Sequence, residues 1–381
     1  MSTVASLNAV RDPMQSTSGV GLLPEFFKLA QEGRSNDTSS PGSANMVEGL
    51  LTDTEIRSFR NMVMSSSGSN YLIERDRSLS GAAARTYMAG TSGLVRLPND
   101  VVKSSMYFTQ PAERNTATLL SRAFSGFSST PGTQGLTGRL LALKPGQSFS
   151  FKDTNSKLID IRPVADNAEL RNKLSKADWD LVQTLGNATM HTSANVTVRY
   201  EGPSKGYTVT TQAQNTLIDR YNWNAGAKDS AESAARTTVM PDGNGGLFAT
   251  NHADWFRMKQ LFGAKDFSVG MAATQTQTFK VSENQVRLGA LSTPERVQTL
   301  MRGAGTSTAA KVVTDNTAFK NQMLRASQDN RGVVPIAAND AVSVMQPLRF
   351  DPKARRLTVP VDEGNDSGGG GSRGPSRIKK F

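Results

Sequence analysis

The residues best placed to do chemistry together lie in one run, Asp219-Arg220-Tyr221-Asn222-Trp223-Asn224. Residues two apart on a strand share a face, so Asp219 and Tyr221 project together if this run ends a strand, with Asn222 and Asn224 at its exit. A carboxylate, a phenol and amides gathered there can hold a divalent cation through Asp219 or bind a phosphate-bearing ligand. The same spacing also fits Tyr221 and Trp223 as alternating core and rim aromatics, with Asp219 in a loop hydrogen bond. Little else competes. The chain has no cysteine and two histidines, His191 and His252, which excludes thiol nucleophiles, thiolate zinc sites and multi-histidine centres. Phosphate-binding GxxxxGK[ST] loops, helix-opening GxGxxG and HExxH are all absent. Asp242-Gly243-Asn244-Gly245-Gly246 has the residues of a calcium loop without its later bidentate glutamate, and reads as a turn.

The elements that must position this run are legible around it. Asn195 to Tyr200 and Tyr207 to Thr210 alternate with period two across a turn at Glu201 to Gly206, and Thr216 to Tyr221 reads as a third strand. Asp254 to Leu261 returns to helical spacing, and Phe267-Ser268-Val269 and Thr278-Phe279-Lys280-Val281 read as further strands. Upstream, Asp166 with Glu169 opens a helix through Leu170 and Leu174. Ser175 caps a second helix carrying Trp179, Val182 and Leu185, with Gly186 as its stop. These segments make residues 166–283 an α+β domain built on an antiparallel sheet with flanking helices.

Other segments divide the remainder. Residues 1–70 read as a Ser-rich leader with two short helices, Leu22 to Gln31 and one opened by a capping box of Thr52 and Glu55. In the latter, Ile56, Phe59, Met62 and Val63 share a face. Residues 71–165 form a mixed segment, with a helix at Thr116 to Phe124 and a hairpin at Leu140 to Phe151 turning on Lys144-Pro145-Gly146-Gln147. Residues 284–363 hold a helix from Ser292 to Arg302, a linker at Ala304 to Ala310, a helix at Thr314 to Ser327 and a hairpin at Leu348 to Val359. Residues 364–381 are a Gly-rich basic tail.

Net charge is +11 over 381 residues, but residues 1–70 carry −2 and the others +13. Such a surplus attracts polyanions without specifying which. It is spread along the chain, with no basic helix or aromatic-interleaved strand, so specific nucleic-acid binding is not expected. No run approaches the roughly 18 apolar residues of a membrane span. The start, Met1-Ser2-Thr3-Val4, lacks a charged and apolar leader, so secretion without an ordinary signal peptide, or packaging in a virion, is expected.

From Thr189 to Glu283 the order of features resembles the catalytic domain of colicin M and its relatives. These bacteriocins hydrolyse lipid II, the undecaprenyl-pyrophosphate-linked peptidoglycan precursor, with magnesium. The resemblance is carried by the hairpin with Ala194-Asn195 before it, by Asp219 to Ala225 where the family reads Asp-x-Tyr-Asp-Phe-Asn-Ala, by Arg257 to Val269, and by a closing strand near Phe279. It covers about 95 of 381 residues. It implies a Mg2+ cofactor, with Asp219 orienting the cation or attacking water and Tyr221 and Asn222 shaping the phosphate site. Arg220, Asn224, Lys228 and Arg257 would bind the substrate, and His252 would be the base. Two positions depart from the family: Asn222 replaces its second aspartate, and Lys228-Asp229 stands where it has His-Arg. The implied function is a secreted antibacterial toxin or effector acting in a target periplasm, with a secretion chaperone or immunity protein as partner. The alternatives are a non-catalytic virion or secretion-apparatus component and a nonspecific polyanion binder, with an anionic surface as the other expected partner.

Overall fold

A computed structural model describes residues 51–125, 136–160, 174–185, 187–223, 238–243, 247–303, 305–328 and 336–357. In chain order the elements are α1 (Asp53–Met64), α2 (Ser66–Glu74), α3 (Ser78–Met88), β1 (Leu94–Arg96), α4 (Asn99–Ser104), α5 (Met106–Ser125), α6 (Leu136–Leu141) and β2 (Ser148–Asp160). There follow α7 (Lys176–Leu185), β3 (Asn187–Gly202), β4 (Gly206–Tyr221), β5 (Thr238–Pro241), β6 (Leu247–Thr250), α8 (His252–Phe262) and β7 (Phe267–Val281). The chain continues through α9 (Glu283–Arg287), α10 (Pro294–Gly303), β8 (Gly305–Ser307), β9 (Lys311–Val312), α11 (Asn316–Gln328) and β10 (Val342–Val344).

The large sheet runs β10-β1-β7-β4-β3-β2, and β8 and β9 line the outer edge of β7 beyond β1. β2, β3, β4 and β7 pair antiparallel, whereas β1 is parallel to both β7 and β10. The fold is therefore mixed α/β on a large, mostly antiparallel sheet with flanking helices, as expected in outline.

Alternation along these strands separates two faces. On one, Phe149, Val196, Val198, Val209 and Phe279 pack with Leu119, Leu120 and Phe124 of α5 and Val297 of α10. Further along the same face, Met190, Leu217, Val269 and Met271 pack with Phe59 of α1, Tyr87 of α3, Leu181 of α7 and Trp255 of α8. A buried polar belt divides these two apolar clusters. In it Thr192 Oγ1 donates to Asn215 Oδ1 at 2.8 Å, and Asn115 Nδ2 donates to the Asn155 and Met190 carbonyls, each at 3.0 Å. On the other face α11 lays Phe319 and Met323 over Ile218 and Ala272.

Several sequence expectations change on folding. Thr216 to Tyr221 is not a separate strand but the end of β4, and the two strands expected at Phe267 and Thr278 are one continuous β7. The joining residues, Thr274 to Thr278, alternate Thr and Gln and are half-buried, so no apolar period marks them. The hairpin expected at Leu140 to Phe151 is α6 followed by β2. Its turn survives, with Gln147 N–H donating to the Lys144 carbonyl at 2.9 Å, but β2 takes β3 as partner. Ala304 to Ala310 is not simply a linker, because Gly305 to Ser307 pairs with β7. At Leu348 the turn also survives without the strands. The Asn70 side chain takes both backbone groups of Asp351, at 2.6 and 2.8 Å, and Leu348 to Leu357 contains no strand among its described residues. The helices expected at Leu22 and Asp166, and the tail, lie outside the described residues.

Capping joins the amino-terminal helix to the sheet domain. Thr52 and Glu55 form the expected box at α1, and Asn251 with Asp254 forms another at α8. Asp254 is 0% exposed and accepts from the backbone N–H of Asn251 at 3.0 Å and of Leu51 at 3.1 Å. Asp254→Ala is expected to lower the unfolding free energy in urea by about 2–3 kcal/mol, because it orphans buried donors and a cap. Asp53→Ala, at 67% side-chain exposure, should cost less than about 1 kcal/mol.

Candidate functional site

β4 and β7 bring the chemical run of the sequence to one end of the sheet, where Arg220 pairs with Ser268 and Tyr221 with Phe267. Tyr221 stacks on Phe267 with ring centroids 5.0 Å apart, and Trp223 stacks on Trp255 of α8 at 4.6 Å. Tyr87 leans on both Tyr221 and Trp255, and its hydroxyl donates to the Trp255 carbonyl at 2.9 Å. Phe59 meets Trp255 edge-on. The strand exit is thus an aromatic knot, worth roughly 0.5–1.5 kcal/mol per ring pair beyond area burial. Burial pushes the Tyr221 and Tyr87 phenols above the ordinary tyrosine value, so both stay neutral.

Asp219 lies on the same face as Leu217 and Tyr221, opposite Val269. Desolvation raises its carboxyl well above the usual carboxylate range, and the Arg220 backbone N–H works against that shift. Asp180 shows the same upward direction from burial, although it accepts from the Leu79 and Ser80 N–H groups at the start of α3.

The expected substrate-binding cations are engaged within the fold. Arg220 reaches Asp266 at 3.6 Å, a carboxylate that Lys259 also holds at 2.7 Å. Arg257 donates to the Leu51 carbonyl and to Asp53, with Asp254 3.6 Å away. Asn222 is exposed just beyond the last paired residue of β4. His252 opens α8, one turn before Trp255, so its backbone belongs to the same end of the sheet. The His252 side chain, Asn224 and Lys228 lie outside the described residues. The other imidazole, His191, is buried on the opposite sheet face with Nδ1 2.7 Å from Ser156 Oγ.

Magnesium demands ionised oxygen donors in a hydrated octahedral shell. Desolvation of the Asp219 carboxyl, which lies between Leu217 and Tyr221, works against the ionised form such a shell uses. Among the described residues no group of three or more His, Asp or Glu could hold a metal. No family model matches this chain, no curated protein matches it, and no solved structure matches it. The likeness to the colicin M family rests on the quoted residues alone.

A second surface has no counterpart in the sequence reading. Toward the β3–β4 turn, the face opposite the main core carries cross-strand rows of polar side chains. Ser150, Thr197, Thr210, Thr278 and Thr306 form one row. Lys152, Asn195, Gln212 and Thr276 form the next, and Thr154, Ser193, Gln214 and Thr274 a third. Ser150 and Thr197 hydroxyls lie 2.9 Å apart, and those of Thr210 and Thr278 lie 3.2 Å apart. Most of these side chains are exposed or half-buried. At the strand and row spacings of a sheet the surface measures about 20 Å across. The signal was Thr, Ser, Asn and Gln recurring at every second position through Thr208 to Gln214 and Thr274 to Thr278.

Asp219→Asn tests the electrostatics of the strand exit. The folded carboxyl is raised above its unfolded value, so stability is greatest below about pH 4 and declines as pH rises toward the folded pKa. The amide should therefore be more stable than wild type at pH 7, by urea midpoint, with the gap closing at pH 4.

Proposed function

We propose that this protein is a non-catalytic binding protein that docks an acidic polysaccharide on the open face of its sheet. The carrying observation is the makeup of that face. These rows, with Lys311 beside Thr274 and the flanking row of Ser148, Arg199, Thr208 and Lys280, hold Lys152, Arg199, Lys280 and Lys311 and, among the described residues, no carboxylate; Glu201 touches them only at the edge, 3.4 Å from Arg199. Hydroxyls and side-chain amides both donate and accept, which suits a partner rich in hydroxyl groups, while the cations suit its carboxylates. The rows carry no aromatic side chain for bases to stack on, which disfavours single-stranded nucleic acid. A second copy of the same face would meet it with like charge. On this reading the protein works where such polymers are found, outside the cell that makes it or on a virion.

One observation favours a second reading, the colicin-M-like hydrolase. Asp219 stands where the resembled family has its first aspartate, and a carboxyl that desolvation raises well above the usual carboxylate range is suited to general-acid work on a pyrophosphate-linked lipid carrier. On that reading Tyr221 and Asn222 border the phosphates. The engagement of Arg220 and Arg257 by carboxylates speaks for the first reading.

Two measurements separate them. The full chain is expected to be retained by immobilised polygalacturonate and not by neutral dextran. Lys152→Glu with Lys280→Glu should weaken retention about tenfold or more, since each replaces an attraction by a repulsion. Retention relieved equally by DNA would overturn the polysaccharide reading. Directed to the periplasm of a sensitive bacterium, the wild-type protein should leave the cells intact. Lysis that disappears with Asp219→Ala would support the hydrolase instead.

A further inference from the structure

β1 and β10 are neighbouring parallel strands, joined in register from Leu94–Val342 to Arg96–Val344, and both end at the same level. The Met345 N–H continues the ladder to the Arg96 carbonyl at 2.9 Å. Beyond this point the two chains diverge, one toward Pro98 and α4 and the other toward Pro347. A cavity of about 520 Å3 opens between them, lined by Arg96, Asn99, Asp100, Val344, Met345 and Gln346 with the two prolines. Crevices beyond the carboxyl ends of parallel strands are recurrent ligand sites, because the departing chains leave space there.

Arg96 is the unusual member. It is 8% exposed, yet its guanidinium has no ion pair among the described residues. Nη1 donates to the neutral Asn99 Oδ1 at 2.6 Å, and the buried Nε has no hydrogen-bond partner. Burying a charge is costly unless it is paired and hydrogen-bonded, so a guanidinium held this way has its complement missing. The fork of an arginine matches an oxyanion in two-point contact. Asp100 in the lining adds negative charge and so disfavours a multiply charged phosphate. Pro98, Val344, Met345 and Pro347 offer an apolar wall. The cavity size falls within the range of small-molecule sites, roughly 300–1,000 Å3.

We propose that this cavity is a binding site for a small monocarboxylate with an apolar body, held by Arg96 and seated against Val344 and the two prolines. It is separate from the sheet face and independent of the polysaccharide reading.

The test is titration of the full-length protein with benzoate, with benzamide as the uncharged isostere and inorganic phosphate as the alternative anion, read by saturation-transfer NMR and calorimetry. Benzoate is expected to saturate, with a Kd on the order of 1 mM. Benzamide and phosphate should bind at least about tenfold more weakly, and Arg96→Gln should lose about tenfold or more. Val344→Phe, which fills the cavity and leaves Arg96 in place, should lose benzoate too, and it decides the matter if Arg96→Gln does not fold. Absence of saturation by benzoate, equal binding of benzamide, tighter binding of phosphate, or unchanged affinity in Val344→Phe would each overturn the proposal.

Discussion

The register of β4 against β3 and β7 is the constraint on which the rest of the structure depends. These strands are 15 or 16 residues long and paired almost throughout, with an irregularity only near the β3–β4 turn. The side-chain period of a strand is two, so a slip of one residue would exchange its faces. Val209, Ala213 and Leu217 would leave the core while Thr208, Thr210 and Gln212 entered it. Exposing each large aliphatic side chain would cost roughly 1.5–3 kcal/mol, before the penalty for burying amides and hydroxyls. That register also aims Asp219 and Tyr221 at the aromatic knot and lines up the polar rows on the far side.

Two groups of charged residues follow from it, with different fates. At the strand exit the charges are consumed by the fold. Arg220 and Lys259 share Asp266, Arg257 bridges α8 to the start of α1, and Asp219 is driven toward its neutral form. Together with the stacked rings, these contacts fasten the helices to the lower half of the sheet. On the open face, Lys152, Lys280 and Lys311 stand exposed among hydroxyls and amides. Surface cations cost little to keep when solvated, and several of them spread among hydroxyls and amides attract an anionic polymer. The separation of structural from available charge is what supports the proposed binding role of the sheet face.

Much of this was legible in the sequence where local chemistry decides structure. The Thr52–Glu55 cap, the Ser175 cap with Asp178 N–H donating at 3.1 Å, and the Pro294 helix start all depend on neighbours within a few residues. The turn at Lys144 to Gln147 was legible for the same reason, although what it connects was not, because β2 finds its partner in β3 through thirteen paired residues. The continuity of β7 was hidden by its Thr–Gln stretch, whose two faces are both half-buried. For the candidate site, the sequence placed Asp219 and Tyr221 on one face correctly. It did not reveal that this face is the aromatic core, since Tyr87 and Trp255 arrive from α3 and α8. Nor could it show Arg96 beside Val344, a juxtaposition made by a parallel strand pair nearly 250 residues apart in sequence.

The central claim is that the open sheet face is where this protein meets its polymer. Its most direct test is the acetylation rate of individual lysines, read by mass spectrometry with and without polygalacturonate. Protection of Lys152, Lys280 and Lys311, with Lys176 and Lys353 unchanged, is the expected result. Uniform protection of all five, or protection confined to lysines away from the rows, would contradict the assignment.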